Sequence, residues 1–167
     1  MKTLAILLLA ASSSVMAGTP WETYLDLPTP QNASHVVAIE YTEPPQGGYD
    51  SNDLEILQTQ VAASDAESFR LGFRLYKASG GGLAEELGVI LSASIRSHPR
   101  FFLQQVATLD PTCREFSWIL NTPGLEYIDR ANAAAYELRM RQASLMGVNG
   151  DAFAEIRNNC VRLIEPL

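Results

Sequence analysis

The sequence is poor in the residues from which reactive sites are usually built. It holds two histidines and two cysteines, so any metal or thiol chemistry must be assembled from very few groups. His35 and His98 stand at no metal-ligand spacing with an acid or a cysteine, and no metal site is expected. Cys113 and Cys160 lack the C-x-x-C spacing of a redox pair, and no C-x-x-C-H for covalent haem attachment occurs. The run Asp50-Ser51-Asn52-Asp53 is faintly like a calcium loop. Leu54 falls where the next oxygen ligand belongs, however, and no glycine turn or closing glutamate follows, so it reads as a turn capping a helix. Neither G-x-S-x-G nor S-x-x-K is present. Ser92 and Ser94 lie within a helical pattern, where a nucleophile elbow does not form. No cofactor is implied. A catalytic set drawn from dispersed residues stays open, because such sets are defined by geometry and not by spacing.

Basic charge is scarce too. The formal net charge is -7, and Lys2 is the sole charged residue before position 18, so the remainder of the chain stands at -8. That argues against a nucleic-acid partner, which needs a basic surface, and against a grip on anionic lipid. Long apolar runs are missing as well. The longest, Leu4 to Ala11, falls short of the ~20 residues that cross a bilayer. No repeat of 20 to 50 residues is evident.

What the chain does have begins with that apolar run. Lys2 precedes it, Ser12-Ser13-Ser14 follows, and Val15-Met16-Ala17 places small side chains before a cut after Ala17. This is the three-part pattern of a secretory signal. Residues 1–17 are read as a cleavable signal, with no membrane anchor after its removal, and the product is expected to be periplasmic or secreted.

Residues 18–53 form a proline-rich arm. Five of the nine prolines fall here, which excludes long helices. His35 to Tyr41 is rich in β-branched residues and is the one candidate for a short strand. Trp21, Tyr24 and Leu25 are expected to pin the arm to the body. Their alternative role is an exposed aromatic patch that docks a partner.

Residues 54–167 carry helical periodicity throughout. Ser64-Asp65-Ala66-Glu67 reads as a capping box with Ser64 as the cap, opening a helix with Ala66, Phe69, Phe73 and Tyr76 on one stripe. Gly80-Gly81-Gly82 reads as a turn. Glu85-Glu86 then complements the dipole of a second helix, whose stripe is Leu83, Leu87, Ile90, Leu91 and Ile95. Further starts fall at Ser97 with Pro99, at Asp110-Pro111 and at Thr122-Pro123. A long helix is predicted from about Glu126 to Met146, with Ile128, Ala131, Ala135, Leu138 and Leu145 inward. Its pairs Glu126–Arg130 and Glu137–Arg141 are placed outward, in the favourable acid-first order. A last helix carries Phe153, Ile156, Cys160 and Ile164. The fold class is all-α: a compact bundle or short stack of about six helices, preceded by the arm with its candidate strand.

An exported chain with an even cysteine count oxidises them, so Cys113 and Cys160 are expected to form a disulfide. The loop of nearly fifty residues it closes is worth roughly 4 kcal/mol in the chain-entropy model. Arg70, Arg74 and Lys77 line one side of the helix after Ser64. They form either a candidate anion or partner site, or a solvated face paired with nearby acids. Two functional classes follow. One is a protein-protein interaction module, binding another protein in an inhibitor- or immunity-like role in the cell envelope. The other is a small periplasmic enzyme or small-ligand binder with a site built from dispersed residues; the thin acid, base and metal vocabulary makes the enzyme the weaker of the two.

Overall fold

The computed structural model describes residues 18–39, 51–124, 127 and 129–165. The signal segment with its cut after Ala17, Glu40 and Tyr41 of the candidate strand, Asp50, Glu126 of the Glu126–Arg130 pair and Ile128 lie outside these residues. Among the described residues there are nine α-helices and no strand. They are α1 (Pro20–Asp26), α2 (Pro30–His35), α3 (Ser51–Ala62), α4 (Ala66–Ala78), α5 (Gly81–Ser97), α6 (Pro99–Leu109), α7 (Ser117–Asn121), α8 (Ala131–Met146) and α9 (Ala154–Leu163), with short 3-10 turns leading into α7 and α9. No helix among them is long and apolar enough to cross a membrane.

The expected strand is absent from the described part of His35–Tyr41: His35 ends a short helix and residues 36–39 are irregular. Thr29 accepts the N–H of Asn32 and Pro30 occupies the first turn, so a short helix forms and ends on His35. Val36 then turns fully inward, and residues 37–39 have no regular structure. Branched side chains favour a strand only where a neighbouring strand offers its edge, and no described residue does. α1 starts on a complete capping box, with Thr19 and Glu22 exchanging backbone hydrogen bonds.

α4 and α5 form the centre. α4 packs against α2, α3, α5 and α6. It therefore buries Leu71 and Leu75 in addition to the predicted Phe69 and Phe73. The Phe73 ring lies 5.7 Å from Phe102 of α6 and 5.4 Å from Phe116, an edge-and-tilt geometry worth roughly 0.5–1.5 kcal/mol per pair beyond area burial. α5 touches α3, α4, α6, α7 and α8, and buries the predicted stripe Leu83, Leu87, Ile90, Leu91 and Ile95.

Several helix boundaries differ from expectation. Ser64 does not cap α4: it stands in a left-handed turn at φ 67°, and Asp65 takes over, accepting the Ser68 N–H at 2.6 Å. α5 starts at Gly81, so Glu85 and Glu86 lie beyond its first turn. α8 starts at Ala131, later than predicted. Thr122-Pro123 ends α7 and leads into a connection, not directly into a helix.

Cys113 and Cys160 are joined by a disulfide with S–S 2.03 Å, both residues fully buried. The bridge ties the turn before α7 to α9. Asn121 adds a second tie, donating to the Leu163 carbonyl at 2.8 Å and accepting from the Glu165 N–H at 2.8 Å.

Candidate functional site

The expected outward pair on α8 points inward. Glu137 is 6% exposed and Arg141 1%, which overturns their placement on the solvent face. Leu138 and Leu145 are buried on the same helix, and position 141 falls between them at helical spacing. The gap in the predicted stripe was the legible signal that Arg141 lies on the buried face.

Burying a guanidinium requires nearly all its donors to be used. Arg141 reaches under the C-terminal end of α7. Its Nη1 donates to the carbonyls of Ile119 at 3.2 Å and Thr122 at 2.6 Å, and its Nη2 to that of Pro123 at 3.2 Å. A helix five residues long leaves most of its carbonyls without intrahelical partners, and a cation there also meets the negative end of the dipole. Arg141 Nε donates to Glu137 Oε1 at 3.1 Å, and Nη2 reaches the Ser92 hydroxyl of α5 at 3.4 Å. The other Glu137 oxygen accepts from Arg96 Nη1 of α5 at 2.7 Å. Glu137 thus bridges one buried and one half-exposed arginine. Its charge and hydrogen bond push Arg96 above its ordinary pKa.

These groups line a cleft of about 530 Å³. Val89, Ser92 and Arg96 of α5, Pro123, Gly124 and Tyr127 of the α7–α8 connection, Glu137 and Arg141 of α8 and Gln58 of α3 line it. Trp118 of α7 is 42% exposed. Its ring is seated on Gly88, where even a methyl group would overlap it. Tyr136 stands on α8 next to Glu137 with its ring exposed. Nothing in the sequence pattern marked Trp118 or Arg96, since neither interrupts an apolar stripe.

The residues singled out from the sequence fall elsewhere and are not brought together. Trp21 is 7% exposed and Tyr24 fully buried. Their rings stack at 5.6 Å, and the Tyr24 hydroxyl meets that of Ser68 at 3.0 Å. They pin the arm and offer no exposed aromatic patch. Burial raises the pKa of Tyr24, an effect partly offset by the Ser68 bond. Arg70, Arg74 and Lys77 have three separate partners. Arg70 pairs with Glu67 and Lys77 with Glu115. Arg74 caps α2, donating to the Ala33 carbonyl at 2.6 Å and to that of Val36 at 3.3 Å. His98 contacts the Ser64 hydroxyl at 3.1 Å and the Ala62 carbonyl at 3.3 Å, and so joins the α3–α4 turn to the α5–α6 junction. His35 is exposed at the end of α2. Ser92 and Ser94 donate to the carbonyls of Val89 and Leu91 in their own helix. No group of three or more histidine, cysteine or acidic side chains is placed to hold a metal among the described residues.

Fold and site together define a disulfide-stapled all-α protein with an arginine-lined cleft and a part-exposed tryptophan seated on Gly88. No protein-family model, curated protein or solved structure matches the chain.

Proposed function

We propose that the chain is an exported interaction module of the cell envelope, with an inhibitor- or immunity-like role, and that it binds another protein through the face where α7 meets α5. The observation that carries this reading is Trp118. An indole that is 42% exposed yet seated on Gly88 offers a large apolar surface with little conformational entropy left to lose on binding. Tryptophan, tyrosine and arginine are the residues in which interface hot spots are richest, and Trp118, Tyr136 and Arg96 all belong to this region. Trp118 sits at Gly88 and Arg96 lies eight residues along α5, a rise of about 12 Å, well within the span of an ordinary interface. The export pattern of residues 1–17 and the Cys113–Cys160 bridge both support an oxidising compartment, the periplasm first.

Site-specific cross-linking in the native envelope tests the proposal. A photoreactive phenylalanine analogue replaces the exposed Ala93 of α5, and in a control it replaces the exposed Gln104 of α6. A discrete protein adduct from position 93, absent from position 104 and lost on Trp118→Ala, is the expected result. Equal or absent adducts at the two positions would overturn it. The alternative, a small-ligand binder, draws on the cleft volume of about 530 Å³, which lies within the ~300–1,000 Å³ of ligand sites. That reading predicts saturable binding of a small molecule without any protein adduct.

A further inference from the structure

We propose that the cleft between α5 and α8 receives a single carboxylate, gripped by Arg96. Three polar side chains that line it are each more than nine-tenths buried: Ser92 at 1% exposure, Glu137 at 6% and Arg141 at 1%. Arg141 is committed to the end of α7, and each Glu137 oxygen holds one arginine. Arg96 differs. Its side chain is 43% exposed, and among the described residues its hydrogen bond is the one from Nη1 to Glu137. The rest of the guanidinium fork borders the cleft.

The charges of the described lining residues point to an anion. Among the described residues lining the cleft, two guanidiniums face one carboxylate, which leaves one positive charge in a chain whose formal net charge is -7. A second carboxylate balances the set. A phosphate dianion overshoots it. The planar fork of arginine also matches a carboxylate bidentately. Glu137 holds the guanidinium in place before anything binds, so little side-chain entropy remains to be lost. Gln58 and Tyr127 supply an amide and a phenol at the rim for the neutral part of the ligand. The carboxylate has two sources, a free organic acid or an acidic side chain of a protein partner. This inference is independent of Trp118, because carboxylate binding in the cleft and adduct formation from α5 are measured with different probes.

The test is a titration of the isotope-labelled protein, followed by NMR at the Arg96 Nε–H and the Ser92 amide. The probes are sodium propionate, the blocked tripeptide acetyl-Gly-Glu-Gly-amide, and sodium phosphate. Saturable shifts at both groups with the two carboxylates, weakened about tenfold or more in Arg96→Gln and partly restored in Arg96→Lys, are expected. Similar affinities for propionate and peptide assign the site to a free acid. An affinity at least about tenfold higher for the peptide assigns it to a partner side chain. Arg96→Lys keeps the charge and the contact with Glu137, so it provides a folded comparison should Arg96→Gln unfold. Shifts that do not saturate, that persist unchanged in a folded Arg96→Gln or Arg96→Lys variant, or that phosphate reproduces with equal affinity would each overturn the proposal.

Discussion

Arg141 donates to the carbonyl of Thr122, the residue that closes α7, at 2.6 Å. A short helix is thereby terminated by a side chain from a different helix, α8, nineteen residues further along the chain. Arg141→Met should cost about 3–5 kcal/mol, because the carbonyls at the end of α7 lose a charged donor and Glu137 keeps a buried charge with one partner fewer. The double variant Arg141→Met/Glu137→Leu should recover part of that loss, since the stranded carboxylate goes too. Denaturant melts of the two variants measure this. A double variant no more stable than the single one would show that the buried charge of Glu137 is not the main cost.

Cys113 and Cys160 are 47 residues apart and fully buried. Replacing both by serine should lower unfolding free energy by about 4 kcal/mol. Because neither sulfur is exposed, reductant without denaturant should leave the bond intact. Non-reducing peptide mapping reads both the bond and its resistance, and recovery of both cysteines as free thiols from the native protein would remove the staple from the fold.

Gly88→Ala places a methyl group inside the Trp118 ring. The indole must swing out or α7 must shift, at about 1–3 kcal/mol. Trp118 fluorescence, recorded in a Trp21→Phe background to isolate it, should move to longer wavelength. An unchanged spectrum would mean that the ring is not seated on this glycine.

The arm is held by few polar contacts. Tyr24→Phe removes the buried hydrogen bond to Ser68 and should cost about 1 kcal/mol. Arg74→Gln withdraws the cap from Ala33 and Val36. Amide exchange over residues 30–39 should then rise much more than exchange in α5, since α5 is anchored by other helices. Uniformly faster exchange would mean that the arm and the body open together.

Glu86 has its pKa raised above its ordinary 4.5 by burial. The sign follows from proton linkage. The folded state binds this proton more tightly than the unfolded chain, so the group opposes folding once ionised. Glu86→Gln should therefore raise the melting temperature at about pH 7, and the gain should shrink as the pH falls through the raised pKa, where the native side chain is itself neutral. A gain that stays constant with pH would assign the effect to something other than ionisation.

The all-α class was legible because it rests on local rules: periodic apolar stripes, and prolines confined to first turns and connections; the caps were placed less well, with Asp65 and not Ser64 opening α4. The stripe of α5 was read correctly, from Leu83 to Ile95, because a helix at the centre of a bundle buries a broad face wherever its neighbours lie. The Cys113–Cys160 bridge was legible for a different reason, since two cysteines in an oxidising compartment have one pairing within the chain. Over residues 35–39 the arm was misread as a strand, because strand propensity is realised only with a partner strand, while the Thr29-Pro30 start acts within a single turn.

The cleft was not legible, and the reason lies in Glu137 and Arg141. The gap between Leu138 and Leu145 marked position 141 as facing inward, but the partners of Arg141 could not be read, because an acid and a base four residues apart make the same pair on either face. Only the packing of α8 against α5 and α7 decided that Arg141 would spend its donors on the carbonyls of another helix. That choice turned Glu137 inward and left Arg96 as the arginine with its fork open to the cleft. Local sequence determined the helices and the staple that joins two of them. Tertiary structure decided which charges they bury, because the stability of a buried guanidinium depends on carbonyls supplied by a segment about twenty residues away.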